Sequence, residues 1–180
     1  MKRLTLFRHA KSGWDSPVAR DFDRPLNDRG RRGSKLMGNY ARREGLGFDH
    51  IVSSPAVRCL ETLDGFWDGY GTILHPNWER RIYLASGVTL LDVIRDIPVE
   101  TSNVMMCGHN PGLEDVAMML VPEAPGDELR DLLEEKFPTA CLAELVIDVA
   151  RWADVTEGSA KLTRFVRPRD LDPTLGPDSE

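Results

Sequence analysis

The chain has 180 residues, of which 41% are hydrophobic and 29% charged, with a net charge of −6. This profile excludes a disordered or fibrous polypeptide and fits one globular domain. At this length folding should bury roughly 70% of the surface that the unfolded chain exposes, enough for a core that needs no disulfide or metal staple. The acidic balance argues against a general nucleic-acid binder, because affinity for polyanions rests on neutralisation of phosphates by Lys and Arg.

Three cysteines, Cys59, Cys107 and Cys141, form no Cys-x-x-Cys pair and each has apolar neighbours; they read as reduced, packed thiols in a cytoplasm. The longest apolar run, Val116 to Val121, has six residues, far short of a membrane span, and no signal-like stretch follows Met1-Lys2-Arg3. The charge is unevenly spread. Residues 1–58 hold 13 Lys/Arg against 6 Asp/Glu, whereas residues 59–180 hold 10 against 23. Most of the early cations, as in Arg29 to Arg32 and Arg42-Arg43, read as a solvated helix face, but an anion pocket needs only a few of them.

Leu4-Thr5-Leu6-Phe7 is the first predicted strand and runs into Arg8-His9. Asn27 caps a predicted helix from Asp28 to Glu44, with Leu36, Met37, Tyr40 and Ala41 on one face and Gly45 as its stop. Ile51 to Ser53 is a second strand. Ser54-Pro55 has the form of an N-cap with proline at the first helical position, and Val57, Leu60, Leu63 and Phe66 place a helix over 55–67. Gly87 to Asp96 is a further helix. Val104 to Cys107 is a strand ending at Gly108, after which Asn110-Pro111 repeats the cap-plus-proline start and Leu113, Val116, Ala117 and Leu120 form a buried stripe. Ala143 to Val149 and Leu162 to Val166 are later strands. Strands alternating with amphipathic helices predict an α/β fold, with a mostly parallel central sheet covered on both faces. Residues 1–167 are expected to form the domain, and 168–180, with three prolines and no periodicity, a loose tail.

In open parallel sheets, ligands sit beyond the carboxyl ends of the strands. Three polar groups fall there: Arg8-His9, the run from Ser54 to Arg58, and Gly108-His109-Asn110-Pro111. Each alone is ordinary. An isolated histidine usually serves structure, and Ser-Pro and Gly-His pairs usually mark caps and turns. Their coincidence at equivalent topological positions is what points to a site. Helix N-termini present unpaired N–H groups, so two helix starts with Arg8, Arg58 and His109 suit a phosphoryl dianion.

These segments resemble the histidine phosphatase superfamily, branch 1, and within it the short SixA-type phosphohistidine phosphatases. The similarity is carried by Leu6-Phe7-Arg8-His9-Ala10-Lys11-Ser12 followed by Trp14, by Asp21-Phe22-Asp23-Arg24-Pro25-Leu26-Asn27-Asp28-Arg29-Gly30, by Ser53-Ser54-Pro55-Ala56-Val57-Arg58 with Thr62 one turn on, and by Gly108-His109-Asn110-Pro111-Gly112. Phe137-Pro138-Thr139-Ala140 and Phe165-Val166-Arg167-Pro168 extend it across nearly the whole chain. The resemblance implies a phosphoglycerate-mutase-like three-layer α/β/α sandwich and a two-step phosphoryl transfer through a covalent phosphohistidine on His9.

A nucleophilic imidazole must be neutral, and Arg8 and Arg58 should favour that form. A backbone carbonyl accepting from the other ring nitrogen would fix the tautomer. Arg8, Arg58 and protonated His109 are expected to clamp the phosphoryl oxygens, with Ser12 and Asn110 as neutral donors. A carboxyl group should serve as acid and base near the bridging atom. The resemblance points to Asp21 for that role, with Asp23 next; their alternative is ion pairing with Arg20 or Arg24. Glu79 in Trp78-Glu79-Arg80-Arg81-Ile82-Tyr83 superficially matches a glutamate of larger family members but stands one residue out of place. The four histidines, His9, His50, His75 and His109, show no metal-ligand spacing, so no metal or cofactor is expected, and His50 and His75 read as surface or structural residues.

The expected activity is hydrolysis of phosphohistidine on a protein or of a small phosphomonoester. A phosphotransferase or mutase, and a phosphate-recognition module that has lost turnover, are the alternatives. The expected setting is a cytoplasmic monomer with a phosphorylated protein or small phosphorylated compound as partner, and neither nucleic acid nor membrane.

Overall fold

A computed structural model describes residues 1–15, 17, 18 and 20–176. Six strands form one sheet in the order β3-β2-β4-β1-β5-β6. They are β1 (Lys2–Arg8), β2 (His50–Ser53), β3 (Asn77–Trp78), β4 (Asn103–Gly108), β5 (Leu142–Ile147) and β6 (Ala160–Val166). β1, β2, β3 and β4 run parallel to one another, whereas β5 is antiparallel to both β1 and β6.

The strands alternate between two cores, which is why their sequences read as apolar runs rather than as polar and apolar in turn. Leu4 and Leu6 of β1 and Val104 and Met106 of β4 face one core, with Leu113, Val116 and Leu120. Phe7, Met105 and Cys107 face the other, with Met37, Ala41, Leu63 and Phe66. Helices therefore cover both faces: α3 (Gly87–Arg95), α4 (Gly112–Leu120) and α5 (Glu128–Glu135) lie on the first, α1 (Asp28–Arg43) and α2 (Val57–Tyr70) on the second. This is the expected three-layer α/β/α arrangement.

α1 begins where the sequence places it: the Asn27 side chain accepts a hydrogen bond from the Gly30 amide, and Gly45 follows the helix at φ +68°. α2 starts two residues later than predicted. Pro55 remains outside it, and the Ser54 hydroxyl, 3.2 Å from the Ala56 amide, is turned to another use described below. β3, with two exposed residues, and α5 have no counterpart in the sequence reading. All three cysteines are buried and free.

The segment after 167 corrects the expectation of a loose tail. Pro168–Leu171 forms a helical turn, α6, and Pro173–Leu175 a 3₁₀ turn in which Leu175 is buried. Proline at the first position of each turn and the carboxylates of Asp170 and Asp172, which accept from backbone amides, give this short stretch local order that hydrophobic periodicity does not reveal. Residues 177–180 lie outside the described region.

Candidate active site

β1 and β4 end side by side, with Arg8 paired with Gly108, and the His9 amide continues the ladder by donating to the Gly108 carbonyl at 3.1 Å. This register sets His9 and His109 at equivalent positions, and their ring centroids are 5.3 Å apart. Arg58 enters from the first turn of α2. Thr62, four residues on, joins these parts: its hydroxyl accepts from the Ala10 amide at 2.9 Å and donates to the Arg58 carbonyl at 2.5 Å. The result is a cleft of about 350 Å³ lined by all seven residues named from the sequence, Arg8, His9, Ser12, Asp21, Arg58, His109 and Asn110.

His9 is buried, and its Nδ1 lies 2.7 Å from the Ala10 carbonyl oxygen. A carbonyl only accepts, so Nδ1 carries the proton and Nε2 keeps the lone pair. Burial is the main reason that the pKa of His9 falls well below 6.5; the bond to Ala10 opposes it, and His109, Arg8 and Arg58 add to the depression. The ring is thus neutral at physiological pH.

His109 is held differently. Its Nε2 is 2.8 Å from the Ser54 hydroxyl and 3.6 Å from Cys59 Sγ, while Nδ1 is buried without a hydrogen-bond partner among the described residues. Ser54 therefore orients a histidine besides bonding at the start of α2. Buried polar atoms seldom stay unpaired, and Arg58 Nε and Ser12 Oγ are in the same condition. Three unanswered polar atoms on one cleft are what a site shaped for oxyanions presents. Arg8 donates to the Phe137 carbonyl at 3.0 Å, as does the Asn110 amide at 2.9 Å. Asn110 also accepts from the Glu114 amide at 3.3 Å, so its side chain chiefly anchors the turn into α4.

Asp21 borders the cleft as a carboxylate. Its oxygens accept from Tyr83 Oη at 2.7 Å, Arg24 Nε at 3.0 Å and Arg58 Nη2 at 3.1 Å, and Arg58 Nη1 also donates to its backbone carbonyl at 2.9 Å. Burial works upward on this carboxyl, but the Tyr83 bond, the Arg58 charge and the bonds from Arg24 and Arg58 prevail and bring its pKa to about 2. A carboxyl group so held is ionised at neutral pH, the state in which it accepts a proton rather than donates one. Asp23 pairs with Arg20 at 2.9 Å, and Glu79 caps the turn at Arg81 and pairs with that residue at 3.1 Å; neither lines the cleft. His50 and His75 also lie outside its lining.

Tyr83 was not singled out by its sequence context. It follows the 3₁₀ turn Arg80–Ile82, and beyond its bond to Asp21 its ring stands edge-on to His109 at 5.4 Å, with the Arg58 guanidinium 5.9 Å from its centroid. One aromatic side chain thus touches three members of the site.

Among proteins of known sequence, the family model described as histidine phosphatase superfamily (branch 1) matches residues 4–81. An uncharacterized protein of Mycobacterium tuberculosis is 32% identical over 163 residues, covering 90% of this chain and 99% of its own length. Of the solved structures, SixA from Agrobacterium tumefaciens superposes with a TM-score of 0.75 at 30% identity, covering 93% of this chain and 98% of the other. SixA from Nakamurella multipartitia gives a TM-score of 0.79 at 26% identity, with 93% and 96% covered.

Proposed function

The chain belongs to the histidine phosphatase superfamily, branch 1, and is a phosphatase of the SixA type; we propose that it removes the phosphoryl group from phosphohistidine on a protein, through a covalent phosphoryl-His9 intermediate. The observation that carries this reading is the Nδ1 bond of His9 to the Ala10 carbonyl, which leaves Nε2 as a neutral nucleophile in a cleft it shares with Arg8, Arg58 and His109.

In the first half-reaction Nε2 attacks phosphorus, the new N–P bond forms, and the bond to the leaving group breaks with its electron pair going to that group. Arg8, Arg58 and His109 stabilise the charge that spreads over the three non-bridging oxygens. In the second half-reaction water displaces Nε2 and inorganic phosphate departs. The cations of this site are the guanidinium groups of Arg8 and Arg58, and the reading calls for no metal.

Asp21 favours phosphohistidine over alkyl phosphates. An alkoxide leaving group needs an acid, and the carboxyl group bordering this cleft is ionised. Phosphohistidine protonated on its second ring nitrogen releases neutral imidazole, the base of an acid with a pKa of about 6.5, and needs no such donor. Asp21 is instead in the state that accepts a proton, the requirement of the water step. The rim supports a protein substrate, because Trp14 and Leu84, both lining the cleft, are 77% and 58% exposed, an apolar border suited to a partner surface. Free buried thiols fit a cytoplasmic setting, and among the described residues no helix is long and apolar enough to cross a membrane. A monomer acting without nucleic acid completes the reading.

Incubation with a protein carrying labelled phosphohistidine, followed by alkaline quench, is the test. Label is expected on the wild-type chain and not on His9→Ala, with release of inorganic phosphate rather than transfer to a second acceptor. Undiminished labelling of His9→Ala overturns the intermediate; labelling without phosphate release favours a transferase.

A further inference from the structure

Cys59 follows Arg58 in the first turn of α2 and is completely buried. Its Sγ lies 3.6 Å from His109 Nε2 and 3.9 Å from the Gly108 carbonyl oxygen, and it bonds to the thiol of Cys107, two residues before His109. The Ser54 hydroxyl, 2.8 Å from the same nitrogen, accepts from the Ala56 amide at 3.2 Å. One nitrogen of His109 thus meets an oxygen and a sulfur behind the cleft. The other, Nδ1, is buried and has no hydrogen-bond partner among the described residues.

A phosphoryl oxygen only accepts, so His109 can hold it through Nδ1 only with a proton there. With Nε2 also donating, to Ser54 and Cys59, the ring is a cation. Its neighbours oppose that charge: Arg8 and Arg58 line the same cleft, the His9 ring is 5.3 Å away, and the Tyr83 ring at 5.4 Å is neutral. The Asp21 carboxylate is taken up by Tyr83, Arg24 and Arg58. Among the described residues, the group against Nε2 that can become an anion is the Cys59 thiol. Burial works upward on its pKa, but the bonds to Cys107 and His109 and the charges of His109 and Arg58 bring it below the ordinary thiol value, whereas burial pushes Cys107 and Cys141 up.

Building on the phosphoryl-transfer reading, we propose that Cys59 is a positioning residue: its thiol proton passes to Nε2 of His109, the electron pair stays on sulfur, and the thiolate holds the ring while Nδ1–H donates to a phosphoryl oxygen. The S–H bond breaks as the N–H bond forms, so the pair carries no net charge into the interior. The phosphoryl group meets the positive member of that pair. A hydrogen bond from a charged donor is roughly twice as strong as one from a neutral donor.

The test uses the full chain with inorganic phosphate as the probe. Nitrogen NMR of the phosphate-bound wild type at neutral pH, with the His109 signals assigned by their loss in His109→Gln, should show protons on both ring nitrogens. Cys59→Ser keeps an acceptor without the charge. It should lack the second ring proton and the ultraviolet absorbance of a thiolate, and its kcat on a phosphohistidine protein should fall roughly tenfold with little change in KM, the scale separating a charged from a neutral donor. That deficit should shrink as the pH is lowered through about 6.5, where an imidazole takes up its second proton unaided; a packing defect has no such dependence. A wild-type ring with one proton, or with no response to phosphate, overturns the proposal, as does a Cys59→Ser chain equal to wild type at neutral pH. Absence of label on His9 overturns the phosphoryl-transfer reading instead, since ring protonation is read without turnover. The wild-type spectrum decides the matter even if Cys59→Ser does not fold.

Discussion

The Tyr83 hydroxyl lies 2.7 Å from Asp21 Oδ2 across 62 residues of sequence, and the same carboxylate oxygen accepts from Arg58 at 3.1 Å. The phenol and the guanidinium therefore meet on one atom. Tyr83 holds the carboxylate that holds Arg58, so a residue that need not touch the phosphoryl group sets the position of one that should.

Tyr83→Phe tests this coupling. It removes the hydroxyl and keeps the ring against His109, so kcat is expected to fall several-fold while the fold survives. The folded pKa of Asp21, about 2, lies below the unfolded value of about 3.9. Stability from its ionised form is thus fully present above pH 3.9 and lost as pH falls towards 2. The stability gap between wild type and Tyr83→Phe, measured by urea unfolding, should be full at pH 7 and narrow on acidification through that window. A gap that does not change with pH would mean that the bond is not one to an ionised carboxylate.

His9 titrates with the opposite chemical sense. Its folded pKa is depressed below 6.5, so below pH 6.5 the unfolded chain binds a proton that the native site does not, and stability falls with acidification. His9→Gln should lose phosphoenzyme formation at every pH and yet be less acid-sensitive than wild type between pH 6.5 and the native pKa. In NMR titrations of the wild-type chain the ring C–H resonances of His9 should show no inflection at 6.5. An inflection there would mean that the imidazole titrates as an exposed histidine does.

Arg58 makes two directed bonds to Asp21, one to its carbonyl at 2.9 Å and one to its carboxylate at 3.1 Å. Arg58→Ala should lower kcat by roughly 10²–10³, the range for loss of one oxyanion donor. Arg58→Lys restores the charge but not the fork, so it should recover only part of that loss. Full recovery by lysine would show that the charge alone matters.

How far the site was legible depends on whether a residue's surroundings are local. Arg8, His9, Arg58 and His109 stand at strand ends and helix starts, positions that alternation and capping patterns locate without coordinates. The Ala10 carbonyl, although adjacent in sequence to His9, is a backbone atom whose direction no side-chain pattern encodes. Tyr83 escaped because a short 3₁₀ turn leaves no periodicity to read, and Ser54 because its Ser-Pro context describes a cap while its hydroxyl also serves His109. The ionisation of Asp21 was hidden for a related reason: its partners come from the turn at 24, the helix at 58 and the loop at 83. The layered fold followed from strands with apolar residues on both faces, whereas β3 is too short and exposed for such a pattern to exist.

The same contrast between pattern and contact governs the pairing of α1 with α2. Gly38 of α1 faces the backbone of α2, where an added Cβ would overlap the Phe66 carbonyl oxygen, and Gly69 of α2 faces the Lys35 carbonyl in the same way. The two helices approach through glycines, and Thr62 and Arg58 ride on the second of them. Gly38→Ala should gain a few tenths of a kcal/mol to about 1 kcal/mol in helix propensity and lose more through overpacking, about 1–3 kcal/mol, because a backbone carbonyl cannot swing aside as a side-chain end can. Gly47→Ala is the control, since nothing lies within 4 Å of a Cβ built there, and it should stay within about 0.5 kcal/mol of wild type. Thermal melts of the two variants should separate clearly, and the activity of folded Gly38→Ala should fall as well, because the forced shift of α2 carries Arg58 with it. A Gly38→Ala chain as stable as the control would mean that the helices part without cost and that their close approach does not position the arginine.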